Sequence, residues 1–200
     1  MLDSNARRFV EPLLRSIALA LRQLGISANV VSLCALVVGV GAAACAALGH
    51  AALAIILLWS SGTLDALDGT LARLSAGTPI GAILDITFDR VVEVSIIGAL
   101  AWRYPPLRLE LLALVGAIAV AMSLFLSIAA AVINRSVKSF HYAPGLGERT
   151  EAFIFLTMMI VDPRHLGLWT AFFIVVILVT MGQRLRHAAR LLGPCDRTDS

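Results

Sequence analysis

Four aspartates interrupt an apolar part of this sequence and limit what the chain can fold into. Asp65 and Asp68 lie near the end of one apolar run, and Asp85 and Asp89 lie near the start of the next. Ionisable groups inside a membrane are costly unless they face a partner, a cation or water. We therefore expect the four carboxylates to face a common polar space rather than lipid.

Composition indicates that the surroundings of these acids are a membrane. Of the 200 residues, 59% are hydrophobic and only 14% are charged, whereas soluble domains are about half apolar and about a quarter charged. The predicted fold is all-α, an integral membrane bundle of six transmembrane helices with an N-terminal interfacial amphipathic helix. The expected spans are 30–48, 51–72, 80–102, 109–133, 148–161 and 166–183, with turns at 103–108 and 162–165.

The chain divides into three predicted segments. Residues 1–28 should form a cytoplasmic interfacial amphipathic helix, because apolar side chains fall near one face and arginines largely on the other. Residues 29–192 should form the six-helix transmembrane domain that carries the aspartates. Residues 193–200 are expected to be a disordered tail.

The distribution of basic residues predicts the orientation. Most Lys and Arg residues fall on the side of the N-terminus, whereas Arg103, Arg108 and Arg164 fall on the other. Basic loops remain cytoplasmic, so the N-terminus and the acidic site are expected in the cytoplasm. The membrane is expected to be the cytoplasmic membrane of a bacterium or archaeon.

The spacing of the acids places them on one face of each of two successive helices. In the first helix, positions i, i+3, i+4 and i+7 share a face, and they are Asp65, Asp68, Gly69 and Ala72. In the second helix, positions i, i+4 and i+8 are Gly81, Asp85 and Asp89. Spans two and three should be antiparallel neighbours joined by a short loop. We therefore expect the two faces to meet and the four carboxylates to converge.

Divalent cations would resolve the repulsion among four converging carboxylates. Carboxylate oxygens are hard ligands that suit Mg²⁺ or Mn²⁺, and a pair of such ions suits displacement at phosphorus. A structural alternative pairs the acids with Arg73 and Arg90, but two arginines cannot neutralise four aspartates and Glu93. Two further alternatives remain open, a cation transporter or channel that uses the acids as an ion path, and a bundle that organises lipids.

The acidic stretch resembles the signature of a known enzyme family. The run Asp65-x-x-Asp68-Gly69-x-x-Ala72-Arg73, followed by Gly81-x-x-x-Asp85-x-x-x-Asp89, is similar to the motif of the CDP-alcohol phosphatidyltransferases. The stretch between Arg73 and Gly81 is one residue shorter than the family usually has. Because the difference falls in the predicted loop, both helical faces are expected to survive.

The resemblance implies an enzyme that transfers a substituted phosphate from a CDP-linked lipid donor, expected to be CDP-diacylglycerol, to a small alcohol acceptor, with release of CMP. It also implies a homodimer in the lipid bilayer. No nucleic-acid partner is predicted.

The resemblance further implies a role for each motif residue. Asp65, Asp68, Asp85 and Asp89 would hold two Mg²⁺ or Mn²⁺ ions, and Asp89 would also be the general base. Gly69 and Ala72 would admit the cytidine, and Arg73 would meet the donor phosphate or brace the acids. Gly81 would allow spans two and three to approach closely. Beside the motif, Asn29 opens span one and is expected to border the nucleotide.

Basic residues on the same side form a candidate acceptor site. They are Arg135, Lys138, Arg149 and Arg184. Positive-inside bias accounts for each one singly, whereas together they could bind the phosphate of an acceptor. Family members that use inositol phosphate resemble this arrangement, and glycerol phosphate satisfies the same reasoning. An unphosphorylated alcohol or a serine acceptor stays open.

Overall fold

The fold is a bundle of helices. The computed structural model describes residues 2–75, 78–134 and 149–192, and in these ranges it contains no strand. The α-helices of this part are α1 Leu2–Gln23, α2 Ala28–Leu48, α3 Ala51–Leu74, α4 Pro79–Arg103, α5 Arg108–Asn134, α6 Arg149–Val161 and α7 Leu166–Leu192. The predicted all-α class is confirmed, and each expected span overlaps one helix from α2 to α7. The count of six membrane-spanning helices stays a prediction. The predicted tail, 193–200, lies outside the described residues.

Two short 3₁₀ turns connect helices where the sequence predicts turns. Pro105–Leu107 joins α4 to α5, and Pro163–His165 joins α6 to α7. In the second turn, Nδ1 of His165 lies 2.8 Å from the Asp162 carboxylate. Trp169 Nε1 donates a hydrogen bond to the same oxygen at 3.2 Å. The bond with His165, and to a smaller extent the bond with Trp169, lowers the pKa of Asp162. The charged carboxylate is therefore the form that stabilises the turn.

The chain is an integral membrane protein. Four segments of the described residues are long and apolar enough to cross a bilayer, namely Ala28–Leu48, Ala51–Leu74, Pro105–Val132 and Pro163–Leu192. Outside this group, α4 carries several charged side chains, and α6 has only 13 residues. Large apolar side chains such as Val37, Leu112 and Phe172 are exposed on the outer surface of the bundle, where lipid can cover them.

Helix α2 lies at the centre of one half of the bundle and packs against both α3 and α4. Its inner face is made of small residues, including the buried Gly39, Ala42 and Ala46. Small residues let helix backbones approach closely in membranes. The Ser61 hydroxyl of α3 donates to the Ala35 carbonyl of α2 at 2.7 Å. In the described part of the chain α3 and α4 make few direct contacts, so the expected direct packing of spans two and three is replaced by packing of both helices on α2.

Helices α5, α6 and α7 form the other half of the bundle. Helix α7 packs against α5 and α6, while α6 also contacts α3. At the α3–α6 contact, Trp59 Nε1 donates to Thr157 Oγ1 at 3.1 Å, and the Trp59 ring meets the edge of Phe153. Together with α4, these three helices line a cavity.

Helix α1 packs onto the part of α3 that carries the first two aspartates. Leu14 and Ala18 of α1 are buried in a cluster with Leu67 and Leu71 of α3. The helix ends at Gln23, and the φ of 74° at Gly25 lies in the left-handed region that glycine favours. Hydrogen bonds from Gly25 N and Ile26 N to carbonyls of the last turn close this end.

The close packing of α2 predicts that Gly39 tolerates no side chain. A Cβ added at Gly39 would lie 2.8 Å from Ser61 Oγ and closer still to Val92 Cγ2. We expect Gly39→Ala to lower the free energy of unfolding by about 1–3 kcal/mol, as overpacking does in other cores. The measurement is thermal unfolding in detergent. The matched control is Gly116→Ala in α5, where a Cβ meets nothing within 4 Å. Equal melting temperatures for the two variants would contradict the packing argument.

Candidate metal centre

Three of the four predicted metal ligands meet in space. Asp65, Asp68 and Asp85 each offer one carboxylate oxygen, and these oxygens all lie within 4.8 Å of one another. Two of the residues lie on neighbouring turns of α3, and the third lies on α4. The two helices therefore contribute to one acidic cluster, although they hardly pack on each other.

The donor atoms of this cluster suit a divalent cation. Asp68 is only 2% exposed, and its buried Oδ2 has no hydrogen-bond partner. A buried carboxylate oxygen without a partner is unfavourable, and a bound cation would supply the missing partner. Oxygen-only donors match Mg²⁺ or Mn²⁺. The residues present thus fit the ions that the sequence predicts.

The start of α4 fixes the position of Asp85. Thr78 is the N-cap residue, and its hydroxyl accepts a hydrogen bond from Gly81 N at 3.0 Å. Pro79 follows at the first helical position, where its fixed φ suits a helix. Asp85 comes between one and two turns later. The shorter stretch between Arg73 and Gly81 therefore keeps Asp85 in reach of the α3 carboxylates.

Gly81 faces α2 rather than α3. A Cβ at Gly81 would lie 3.0 Å from Asn29 Oδ1 and 3.2 Å from Thr78 Oγ1. Gly81 was expected to let α3 and α4 approach closely. Instead it allows close approach of α2 and α4, because α2 lies between α3 and α4. The Asn29 side chain is consequently held beside the first turn of α4.

The face of α3 next to the cluster has little side-chain cover. A Cβ at Gly69 would meet only Arg73 Nη1, at 3.8 Å, and Ala72 is half-buried. The exposed Arg73 donates from Nη2 to Thr70 Oγ1 at 2.9 Å, which turns its guanidinium back along α3. Ser32 of α2 lies beside the Asp68 carboxylate. A flat group could therefore approach the α3 backbone at Gly69.

Asp89 lies outside the three-carboxylate cluster and lines an adjoining cavity. This cavity has a volume of about 340 Å³ and is enclosed by α4, α5, α6 and α7. Asp85 belongs to both the cluster and the cavity wall. The cavity therefore adjoins the candidate metal centre at Asp85, and Asp89 lies one turn further along α4.

One of the predicted acceptor-binding residues reaches this cavity. Arg184 of α7 lines it, and its guanidinium carbon lies 5.0 Å from the centre of the Phe125 ring. Arg135 and Lys138 lie outside the described residues. Arg149 begins α6, but its side chain also lies outside the described part.

The cavity contains a charged pair that the spacing of the motif does not predict. The Arg90 guanidinium forms an ion pair with the Glu93 carboxylate, and both residues line the cavity. The sequence contains a signal for Glu93, because it continues the four-residue spacing of Gly81, Asp85 and Asp89. From the sequence, Glu93 is expected only as one more charge beside the four aspartates.

Comparisons with known proteins give consistent results. Residues 25–182 match the family model of CDP-alcohol phosphatidyltransferases. The chain is 30% identical to inner membrane protein YnjF of Escherichia coli over 170 residues, which cover 79% of this chain and 81% of that protein. It is 40% identical to phosphatidylinositol phosphate synthase of Corynebacterium glutamicum over 55 residues. This match covers only 27% of this chain and 25% of that protein's length. The crystal structure of Mycobacterium tuberculosis phosphatidylinositol phosphate synthase with CDP-DAG bound is similar, with a TM-score of 0.76, 25% identity and coverage of 94% of this chain and 100% of that chain.

The cluster geometry predicts that Asp68 contributes to metal affinity. Loss even of an outer-shell partner lowers metal affinity by about 10–100-fold, so we expect Asp68→Asn to weaken Mn²⁺ binding at least ~10-fold. Binding would be measured on purified protein by calorimetry or by electron paramagnetic resonance of free Mn²⁺. Glu110→Gln, which changes an exposed acid at the start of α5, is the matched control. Unchanged Mn²⁺ affinity in folded Asp68→Asn protein would remove Asp68 from the ligand set.

Proposed function

Because the chain belongs to the CDP-alcohol phosphatidyltransferase family, we propose that it transfers the phosphatidyl group of CDP-diacylglycerol to a phosphorylated polyol and releases CMP. The observation that carries the proposal is the cluster of Asp65, Asp68 and Asp85 within 4.8 Å. It joins a cavity large enough for a small ligand. Family membership favours this activity over a cation transporter or channel.

The acidic cluster would bind divalent metal. Asp65, Asp68 and Asp85 would hold one Mg²⁺ or Mn²⁺, and Asp89 would complete the ligands of a second ion with Asp85. When bound, the ions would supply positive charge that stabilises the pyrophosphate and the departing CMP.

The open face of α3 would bind the donor nucleotide. The space over Gly69 and Ala72 suits the flat cytosine ring, because no large side chain covers it. Arg73 is exposed and bonded only to a neutral hydroxyl in the contacts described above, so it can turn towards a phosphate at little cost. Asn29, held beside Gly81, would border the nucleotide from α2.

Asp89 would be the general base. Its position in the cavity wall allows its carboxylate to accept the proton of an acceptor hydroxyl. The acceptor oxygen then forms a bond to the phosphorus that carries the diacylglycerol, and the bond from that phosphorus to the CMP oxygen breaks. With an acceptor bound, the apolar residues of the cavity wall would limit the access of water, which would otherwise compete as acceptor.

Arg184 would bind the phosphate of the acceptor. It is a cation in the wall of a cavity that also contains Asp89, and a guanidinium can form two hydrogen bonds to one phosphate. The relatives named phosphatidylinositol phosphate synthases support inositol phosphate as acceptor, and glycerol phosphate fits the same charge. Arg135, Lys138 and Arg149 remain predicted contributors.

The proposed topology follows the charges of the chain. Helices α2 to α7 would each span the membrane and form the catalytic domain at 29–192, and α1 within 1–28 would lie at the interface. The N-terminus and active site would face the cytoplasm of a bacterium or archaeon, because most basic residues lie on that side. The active unit would be a homodimer.

The proposed reaction is tested by release of CMP. We expect purified protein to release CMP only when CDP-diacylglycerol, Mg²⁺ or Mn²⁺ and an acceptor are all present, in a panel that includes inositol phosphate, glycerol phosphate, inositol and serine. Asp89→Asn should lower kcat by about 10²–10⁴-fold, the usual contribution of a general base. Absence of metal-dependent CMP release from folded wild-type protein would reject the activity. Full turnover by Asp89→Asn would reject only the assignment of the base.

The assignment of Arg184 predicts a selective effect on the acceptor. Arg184→Gln should raise the KM for a phosphorylated acceptor by about tenfold or more, since a hydrogen bond to a charged group contributes about 1.5–3 kcal/mol. The KM for CDP-diacylglycerol should stay unchanged. Arg190→Gln is the matched control, because Arg190 is exposed on the same helix. An equal effect of both variants would indicate a general electrostatic contribution instead of a phosphate site.

A further inference from the structure

The Arg90–Glu93 pair lies in the wall of the cavity that Asp89 also lines. Glu93 lies four residues beyond Asp89 on α4 and therefore one turn away on the same face. It is only 1% exposed, although it lines the cavity. Arg90 is half-buried. The reaction proposed above assigns no role to either side chain.

The ion pair leaves one acceptor and one donor without partners. Arg90 Nη1 donates to Glu93 Oε2. Glu93 Oε1 and Arg90 Nε are both buried, and neither has a hydrogen-bond partner. Buried polar atoms are rarely left in this state. A group that enters the cavity and both accepts and donates hydrogen bonds would satisfy the two atoms together.

The rest of the cavity wall shows which chemistry fits. Its other lining is mainly apolar, with Ile118, Phe125, Phe173 and Ile177, and a few polar groups in an apolar cavity are typical of a binding site. Since Glu93 is already bonded to Arg90, the free atoms suit neutral polar groups better than full charges. A hydroxyl group can both donate to Glu93 Oε1 and accept from Arg90 Nε. A phosphate at this position would face the Glu93 carboxylate, so Arg184 is the better phosphate partner.

We propose that the Arg90–Glu93 pair binds hydroxyl groups of the acceptor alcohol and so makes the enzyme specific for a polyhydroxylated acceptor. The proposal rests on the transferase activity proposed above. In this arrangement Arg184 binds the acceptor phosphate, Asp89 faces the hydroxyl that reacts, and the pair binds further hydroxyls of the same molecule. The pair is a specificity-determining element and takes no part in bond making.

The test removes the pair without leaving a buried charge alone. The double variant Arg90→Met with Glu93→Leu replaces an ion pair by apolar side chains, a change that buried pairs often tolerate. Glu93→Gln is the second variant and keeps the shape of the side chain. Glu110→Gln is the control. Each protein is assayed for CMP release with inositol phosphate, with its singly deoxygenated analogues, and with a phosphorylated alcohol that has one hydroxyl.

We expect the double variant to raise the KM for inositol phosphate by roughly tenfold, about the effect of one lost hydrogen bond. The KM for CDP-diacylglycerol and the kcat should change little. For the wild type, removal of the acceptor hydroxyl that faces the pair should raise KM by a similar factor. For the double variant, removal of the same hydroxyl should not raise the KM any further. In addition, inositol phosphate should raise the melting temperature of the wild type more than that of the variant.

The outcomes separate this proposal from the proposed activity. If the wild type releases no CMP with any acceptor, the transferase assignment fails and this inference fails with it. If the wild type is active but its variants lose kcat equally with all acceptors, the pair is only structural and the inference alone is overturned. The same conclusion follows if the deoxy analogues affect wild type and variant alike, or if serine is the acceptor.

Discussion

The central constraint on this structure is the electrostatic repulsion among three neighbouring carboxylates, which a bound cation offsets. Asp65, Asp68 and Asp85 approach within 4.8 Å inside a bundle whose outer surface is apolar. Like charges at that separation repel strongly where water is scarce, so positive charge between them stabilises the arrangement. The two helices that carry these acids hardly touch in the part that the structure describes, and their relative position follows from the packing of both on α2.

Helix α2 is what makes this separation possible. Its small residues allow α3 and α4 to pack on either side of it, and Gly39 lies where Ser61 of α3 and Val92 of α4 both approach. With α2 between them, the two acid-bearing helices are still close enough for their carboxylates to form one cluster. Asn29 and Ser32, near the start of the same helix, then lie beside Gly81 and Asp68. A helix without charged side chains thus sets the dimensions of the charged site.

The sequence predicts the parts of this site better than their arrangement. Periodicity shows which residues share one face of a helix, and it correctly groups Asp65 with Asp68 and places the turns near Pro105 and Pro163. It does not show which helices are neighbours, because most helices of the bundle are apolar and the sequence of a small-residue face does not specify the helix that packs on it. For that reason the insertion of α2 between α3 and α4 was not predicted, and neither was the pairing of Arg90 with Glu93. Asp89 lines a cavity beside the cluster, and the walls of this cavity include α5 and α7. No sequence motif specifies where these two helices lie.

The acids of α4 have different surroundings although they share one face. Asp85 points to the cluster, Asp89 to the adjoining cavity, and Glu93 to Arg90 within the cavity. Each successive turn of the helix therefore meets a different chemical environment, in keeping with the different roles proposed above for Asp85, Asp89 and Glu93. The same charges make α4 a poor membrane span by itself, since an isolated helix would have to expose them to lipid. Its place in the membrane consequently depends on α2 and on α5 to α7, so the helix that bears most of the site is also the one whose stability the rest of the bundle must supply.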